Sequence, residues 1–343
     1  MLRREVIFLR KNDNACTHYR VIIPAKHLQQ KGIKVSLVNS ASEIDLSNVQ
    51  NKIYIFGRSC LYTELDVFRE IKKRGGIVVY EIDDDLLDLP SWNPASAFFL
   101  KVQVVIRNFL READLVIVTT EALKNSFRKF NSNISVIDNY IDFEHESLNI
   151  LPNITNKLSH KVSIDDLTGR FFLLWGGSIT HRVDLKILEK PLAVFFKKYP
   201  EAGLVAIHTL NRAFFNALRP DQLFLVSAVP PKYYLSLLKL LPANIGVAPL
   251  ANYPFNLCKS RLKVIEYMAA GLVPLSSKIG AYAQTLGPTV YGSFLCTNDE
   301  WLPKLENAHN FWEFKIIRDS VTSYAKRNFD ISNSNWEEVL SSL

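Results

Sequence analysis

Short apolar strands alternate with helical stretches along most of this chain, and no other feature constrains its fold as strongly. In the first half, REVIFL, KVSLV, KIYIF, IVVYEI, DLVIVT and ISVID are separated by helical patterns. A second series runs from RFFLLW to LVPLSS. Continuous Val- and Ile-rich strands between helices are typical of parallel sheets that helices cover on both faces. The sequence therefore predicts an α/β protein with two doubly wound domains.

The stretch between the two series is polar, holds Pro152 and has no clear period, so we interpret residues 149–168 as a linker. This interpretation gives a Rossmann-like domain over 1–148 and a second Rossmann-like domain over 169–320. Residues 321–343 are predicted to form a helix that packs back on the N-terminal domain. Ligands of such sheets bind outside the carboxyl ends of the strands, so we expect the site in a central cleft that the two domains face.

The chain is basic, with a formal net charge of +7, and basic proteins attract phosphate-bearing partners. Lysines and arginines cluster at 72–74, at 107 and 111, and at 124–129. These clusters are either solvated helix faces or a surface for an anionic membrane. No apolar run reaches the roughly 20 residues of a membrane span, and four scattered cysteines suit a reducing compartment. We expect a cytoplasmic protein. A further expectation is that it contacts the inner face of the membrane peripherally.

The stretch NLCKSRLKVIEYMAAGLVPLSS places two cations and one anion at helical spacing. Lys259, Lys263 and Glu266 fall at i, i+4 and i+7 and share one face of a helix that Gly271 would end. We expect Lys259 and Ser260 in the first turn, where free N–H groups and the helix dipole favour an anion. A carboxylate such as Glu266 accepts hydrogen bonds from sugar hydroxyls. The alternative is a surface helix stabilised by salt bridges.

This stretch resembles the donor-site signature of retaining GT-B glycosyltransferases of family 4, the group 1 type. The resemblance is carried by Asn256, Lys259, Ser260, Lys263 and Glu266. It implies that Glu266 binds the ribose of a nucleotide sugar, and that Lys259 and Lys263 meet the diphosphate. Cys258 stands where the usual motif has its first glutamate; a subset of the family has Asn-x-x-Lys-Ser there instead.

Two further stretches resemble the same family. The stretch WGGSITHRVDL follows the first strand of the second half and is similar to the loop that faces the donor phosphates; it adds Gly177, Ser178 and His181 to the expected donor site. Asp184 can cap the helix that follows. In the first half, Tyr19 and Arg20 resemble the start of the helix that borders the acceptor.

Three consecutive aspartates, Asp83, Asp84 and Asp85, follow a predicted strand. The resemblance makes them candidates to position the acceptor or to stabilise positive charge on the donor sugar. They could instead hold a divalent cation, as in a metal-dependent GT-A-like glycosyltransferase that uses Asp83 and Asp85. A third alternative is that they cap the following turn.

The resemblance implies a glycosyltransferase that moves a sugar from a nucleotide-diphosphate sugar to a glycan or lipid-linked acceptor, with retention, in polysaccharide or glycoconjugate synthesis. The expected catalytic residues are Asp83, Asp84, Asp85, Lys259 and Glu266. No cofactor, metal or nucleic-acid partner is expected. A non-catalytic nucleotide-sugar-binding protein of the same fold stays an alternative. A dehydrogenase is disfavoured, because neither half has Gly-x-Gly-x-x-Gly after its first strand.

Overall fold

A computed structural model describes residues 2–146, 169–207, 215–216, 218–310 and 315–343. The chain forms two compact units. Unit 1 consists of Met1–Asp142, Leu257–Ser260 and Phe329–Leu343, and unit 2 consists of Phe143–Asn256 and Arg261–Asn328. The predicted linker, 149–168, lies outside the described residues.

Unit 1 contains a six-stranded parallel sheet in the order β2-β1-β3-β4-β5-β6. Its four inner strands are buried because helices cover the sheet, whereas the two edge strands, β2 and β6, are partly exposed. The strand order reverses between β1 and β3, which makes the carboxyl ends of these two strands the place where a ligand is expected. The strands are β1 (Glu5–Leu9), β2 (Val35–Val38), β3 (Lys52–Gly57), β4 (Ile77–Ile82), β5 (Leu115–Val118) and β6 (Ile134–Val136).

The first helical segment of unit 1 changes its winding part-way. A short α1 passes into a π-helical turn over His18–Ile22 and then into α2. π-helical turns are rare in proteins, and those that occur are frequently found at functional sites. The helices grouped with unit 1 are α1 (Ala15–Thr17), α2 (Ile23–Gln30), α3 (Tyr62–Lys73), α4 (Ser96–Glu112), α5 (Glu121–Phe127) and, near the end of the chain, α14 (Trp336–Ser341).

Unit 2 contains a second six-stranded parallel sheet, in the order β12-β11-β10-β7-β8-β9. This is the doubly wound Rossmann order, with its reversal between β7 and β10. The strands are β7 (Phe172–Gly176), β8 (Gly203–Ile207), β9 (Leu223–Val226), β10 (Ile245–Ala248), β11 (Val273–Ser277) and β12 (Leu295–Cys296). The prediction of two doubly wound α/β domains is confirmed.

The helices of unit 2 include several that the sequence patterns did not indicate, namely α11, α12 and the short α6. The unit's helices, with α9 ending at its border, are α6 (Phe143–Glu146), α7 (Arg182–Lys198), α8 (Tyr234–Leu240), α9 (Pro254–Leu257), α10 (Leu262–Ala269), α11 (Gly280–Leu286), α12 (Trp301–Asn310) and α13 (Lys315–Phe329). None of the helices in the described ranges is long and apolar enough to cross a bilayer.

The chain from Phe329 onward groups with unit 1. Ile141 and Asp330 form an isolated parallel bridge, and the Trp336 ring packs edge-on against Phe8 with 5.9 Å between ring centroids. The Trp336 side chain is therefore buried against the first sheet.

A buried ion pair joins the π-helical turn to the sheet of unit 1. Arg20 Nε lies 2.7 Å from Glu81 Oε1, and both side chains are 2% exposed. Arg20 Nη1 also donates to the carbonyl oxygen of Asp138 at 2.9 Å and to Asn139 Oδ1 at 3.3 Å. Burial raises the pKa of Glu81, and the charge of Arg20 opposes that rise. Arg20 therefore ties the first helix to the ends of β4 and β6.

Replacing Arg20 with Met should lower the free energy of unfolding by about 3–5 kcal/mol, because it leaves a buried carboxylate without its counter-charge. The loss should grow as the pH rises above about 7, the pKa of Glu81 in the wild type, because the charge of Arg20 holds that pKa below the value expected in the variant. Glu81 in the folded variant would hold its proton to a higher pH than in the unfolded chain, so raising the pH favours unfolding. Denaturant titration at several pH values measures both effects.

The matched control is Arg69→Met, which breaks the exposed pair between Arg69 and Glu112. It should change the free energy of unfolding by less than about 1 kcal/mol. Equal effects of the two substitutions would contradict the structural role of Arg20.

Candidate functional site

The residues expected to bind the donor follow β7, at the point where the strand order of unit 2 reverses. The strand ends at Gly176, and Gly177 and Ser178 begin the loop to α7. Ser178 Oγ and Thr180 Oγ1 lie 2.5 Å apart within this loop. The carboxyl ends of β7 and β10 border this point, so the loop lies where doubly wound sheets bind nucleotides.

The ammonium group of Lys263 lies directly over this glycine loop. A Cβ on Gly177 would be 3.1 Å from Lys263 Nζ and 2.7 Å from the Trp175 ring. Lys263 Nζ is 5.4 Å from the centroid of that ring, which is a cation–π distance. Only glycine lets the backbone and the ammonium approach this closely. The structure thus brings together Gly177 and Lys263, which the sequence placed in the same site from distant stretches.

Tyr267 fixes the helix that carries Lys263 against the sheet. Its hydroxyl accepts a hydrogen bond from the Gly176 N–H at 3.0 Å and donates to the carbonyl oxygen of Val247 at 3.4 Å. Its ring covers Gly246, where a Cβ would lie 2.3 Å from the ring. α10 is therefore held at the strand reversal by a side chain that contacts both β7 and β10.

Asp184 is a buried carboxylate that connects the start of α7 to the chain after β10. Its Oδ2 lies 2.9 Å from His181 Nδ1, and its Oδ1 accepts hydrogen bonds from the Ala251 N–H at 2.9 Å and from Asn256 Nδ2 at 2.7 Å. Burial acts to raise the pKa of Asp184. The hydrogen bond and charge of His181, together with hydrogen bonds from Ala251 and Asn256, outweigh that effect, so the pKa lies below its usual value. His181 and Asn256 thus meet through Asp184, which the sequence suggested only as a helix cap.

Glu266 follows Lys263 on α10 and is 7% exposed. Burial raises the pKa of Tyr234, and the charge of Glu266 raises it further. Tyr234 in turn contacts the strand end, because a Cβ on Gly176 would lie 2.1 Å from its hydroxyl oxygen. Glu266 lies three residues after Lys263 on α10, and its predicted contact with a donor stays a prediction.

The helix that carries Lys263 begins later than the sequence suggested. α10 starts at Leu262, so Lys259 and Ser260 do not lie in its first turn, and the expectation of a single helix through Lys259 was wrong. Residues 257–260 group with unit 1, where Thr120 Oγ1 donates to the carbonyl oxygen of Cys258 at 2.9 Å and Asn139 Nδ2 donates to Ser260 Oγ at 2.8 Å. These bonds to distant residues hold the segment out of the helix.

The aspartates after β4 have different environments. Arg58 Nη1 lies 2.5 Å from Asp83 Oδ1 and 3.3 Å from Asp84 Oδ2. Burial acts to raise the pKa of Asp83. The charges of Arg58 and Arg20 and a hydrogen bond from Cys16 together outweigh that effect, so the pKa lies below its usual value. Asp85 accepts hydrogen bonds from Ser126 Oγ at 2.6 Å and from the Leu87 N–H at 3.2 Å, as the turn-capping alternative expects.

Sequence reasoning missed Arg58. Its backbone has φ +48°, a left-handed conformation that is uncommon for residues other than glycine. The only sequence signal is its position directly after β3, at the carboxyl edge of the first sheet. Among the described residues, no three His, Cys, Asp or Glu side chains come together as metal ligands. The charge of Arg58 beside Asp83 also opposes a cation there.

The acceptor-side residues Tyr19 and Arg20 lie in the π-helical turn and are both buried. Arg20 makes the ion pair with Glu81, and the Tyr19 ring packs edge-on against His18 at 5.1 Å. Their predicted contact with an acceptor stays a prediction.

Comparison with solved structures identifies the architecture. An alpha-glucosyltransferase in complex with UDP matches at a TM-score of 0.65 and 10% identity, over 98% of both chains. A glycosyltransferase from Rickettsia africae matches at 0.62 and 12% identity, over 100% of this chain and 97% of that one. This chain has the GT-B fold.

A further GT-B match is the E. coli trehalose-6-phosphate protein bound with UDP-2-fluoro glucose, at a TM-score of 0.55 and 14% identity over 95% of this chain and 78% of that one. The chain matches no protein-family model. No curated protein matches it either. The likeness establishes the fold, and the reaction has to be argued from the site.

Replacing Asp184 with Asn should lower the free energy of unfolding by about 1.5–3 kcal/mol at pH 7, because its hydrogen bonds involve a charged acceptor. The pKa of Asp184 is lower in the folded state than its value of about 3.9 in the unfolded chain. Its contribution to the free energy of unfolding is therefore complete above that unfolded pKa, and it is lost as the pH falls through the folded-state pKa. The difference between wild type and variant should therefore shrink below about pH 4.

Denaturant titrations at pH 7 and at acidic pH measure this difference. Asp221→Asn is the control, since Asp221 is exposed and pairs with Arg219 on the surface. That control should change the free energy of unfolding by less than about 1 kcal/mol. A stability difference for Asp184→Asn that is independent of pH would contradict an ionised Asp184.

Proposed function

We propose that this protein transfers a sugar from a nucleotide-diphosphate sugar to a glycan or lipid-linked acceptor. The proposal rests above all on the meeting of Gly177 and Lys263 where the strand order of unit 2 reverses. A glycine backbone, an ammonium group and the approach to the start of a helix at one place favour a diphosphate. The GT-B fold supports the same ligand, because two of the similar structures contain UDP or a UDP-sugar analogue.

The donor would be held mainly by unit 2. Lys263 and the amides of Gly177 and Ser178 neutralise the diphosphate, and Glu266 accepts hydrogen bonds from the ribose hydroxyls. Asn256 acts as a positioning residue, since its amide donates to Asp184, and Asp184 in turn holds His181 beside the loop. Lys259 and Ser260, which precede α10, are the further diphosphate contacts.

In the proposed transfer, the bond between the anomeric carbon and the diphosphate oxygen breaks, and a new bond forms to an acceptor hydroxyl, which loses its proton. Charge develops on the leaving diphosphate, and Lys263 together with the loop amides stabilises that charge. This accounts for catalysis without a metal. Retention of configuration and a role of the leaving phosphate in deprotonating the acceptor belong to the proposal.

Unit 1 is proposed to bind the acceptor. Asp83 and Asp84 are the candidates for direct contact, because their carboxylates are partly exposed, whereas Asp85 is buried in hydrogen bonds of the turn. Arg58 keeps Asp83 ionised, and Arg20 supports the strand ends as a positioning residue. A carboxylate pair of this kind accepts hydrogen bonds from sugar hydroxyls.

A thermal-shift screen of UDP-, GDP-, ADP- and CMP-sugars tests the proposal first. Stabilisation by one nucleotide sugar supports a donor site, and the absence of any shift at saturating concentrations would contradict it. Incubation of that donor with candidate acceptors then separates an enzyme from a non-catalytic binding protein. The anomeric configuration of the product, read by NMR, decides between retention and inversion.

Replacing Lys263 with Met should weaken donor binding by about 10- to 100-fold, the effect expected for one hydrogen bond to a charged group. Calorimetric titration with the donor from the screen measures this change. Lys190→Met is the matched control, because Lys190 lies on the exposed face of α7 in the same unit and should leave the affinity unchanged. Equal affinities for wild type and Lys263→Met would contradict the assignment of the diphosphate to this loop.

Transfer activity should persist in the presence of EDTA, because the proposed charge neutralisation uses Lys263 and backbone amides. Activity is measured with and without the chelator, and then after manganese is added back. Loss of activity that manganese restores would support the metal-dependent alternative through Asp83 and Asp85.

A further inference from the structure

The amino-terminal half of α4 exposes three large apolar side chains. Phe98, Leu100 and Val104 are 48%, 68% and 55% exposed, although the helix also buries Val105 and Ile106 in the core of unit 1. Single exposed apolar residues are ordinary on protein surfaces, but a group on one helix end is a common sign of an interaction site. The donor site in unit 2 makes no use of these side chains.

Cations continue the face of α4 that carries Leu100 and Val104; Phe98 lies on another side of the helix end. Leu100, Val104, Arg107 and Arg111 follow one another at intervals of four, three and four residues, so they form one stripe along α4. Arg111 lies over the Phe130 ring at 5.4 Å, and Lys129 lies over that ring at 5.2 Å. The basic end of the stripe therefore extends to the residues that follow α5.

These cations lack carboxylate partners, in contrast to those of the neighbouring helix. On α3, Lys72 pairs with Asp114 at 2.7 Å and Arg74 pairs with Glu70 at 2.6 Å. Within the described ranges, no carboxylate lies at ion-pair distance from Arg107, Arg111, Arg128 or Lys129. The surface formed by the α4 stripe and the chain after α5 thus carries uncompensated positive charge beside exposed apolar side chains.

We propose that this α4 surface docks unit 1 on an anionic lipid bilayer. Lysines and arginines near such a surface are attracted by its negative potential, and apolar side chains beside them enter the interfacial region. A nucleic acid would attract the same cations, but its phosphate backbone gives no favourable environment to Phe98, Leu100 and Val104. The combination of charges and apolar side chains therefore favours a membrane. This inference rests on unit 1 and is independent of the proposed donor site.

Co-sedimentation with lipid vesicles tests the inference. The full chain should bind vesicles of phosphatidylcholine with about one third phosphatidylglycerol at low salt, and should bind pure phosphatidylcholine vesicles far more weakly. Raising the salt to about 0.5 M should release it, because the charges are screened. Failure to bind the anionic vesicles at low salt would overturn the proposal.

A matched pair of variants separates this surface from net charge. Replacing Arg111, Arg128 and Lys129 with Gln should weaken vesicle binding by about 100-fold, at about fivefold for each cation. Replacing Lys72, Lys73 and Arg74 with Gln removes the same charge from α3 and should weaken binding by less than about fivefold. Equal losses would mean that only the net charge matters and would overturn the assignment to α4.

A second pair of variants tests the apolar part. Leu100→Ser with Val104→Ser should weaken vesicle binding by about tenfold or more. The control replaces Val194 and Leu240, two half-exposed apolar residues of unit 2, with Ser and should leave binding unchanged. The proposal would be wrong if the Leu100→Ser, Val104→Ser variant binds vesicles like wild type and a DNA duplex competes with vesicles for the protein. The surface would then be a nucleic-acid site.

The same protein samples report on the donor site separately. The α4 variants should keep the melting temperature and the donor-induced thermal shift of the wild type, because the substituted side chains are exposed and lie in unit 1. Vesicle binding without any nucleotide-sugar shift would refute the proposed transferase and leave the membrane inference standing. Donor binding without vesicle binding would refute the membrane inference and leave the proposed transferase standing.

Discussion

When helices cover both faces of a parallel sheet, only the ends of its strands are open for polar chemistry. In both units the inner strands are apolar and buried, so charged groups and glycines collect where the strands end. The carboxyl edge of the first sheet carries Arg58 and Asp83, and that of the second carries Gly177 and Lys263. The candidate site follows from this constraint before any likeness to other proteins is considered.

Periodicity in the sequence was enough to predict the two sheets and most of the helices. The strands are short, continuous and apolar, and the main helices between them have clear amphipathic patterns. The short α6 was missed, and three further missed elements, α11, α12 and β12, are associated with the end of unit 2, where β12 has only two residues. A two-residue strand leaves no measurable period in a sequence.

The candidate site was predicted only in part, because some of its contacts join residues far apart in the sequence. The meeting of Lys263 with Gly177 agreed with the resemblance. The start of α10 did not, since hydrogen bonds from Thr120 and Asn139 hold residues 258–260 outside the helix. Arg58 was also missed, because its partner Asp83 comes directly after the next strand, β4, and no local sequence pattern joins the two residues. Local sequence signals carry no information about such long-range bonds.

Tyr267 and Gly246 cannot vary independently. The tyrosine ring occupies the space of any side chain at position 246, while its hydroxyl holds the backbone of Gly176. A chain related by descent that carries alanine or valine at position 246 would have to give up the aromatic ring, and with it the bond that fixes the strand end. Covariation of these two positions among relatives would therefore record whether the loop after β7 has kept its shape during evolution.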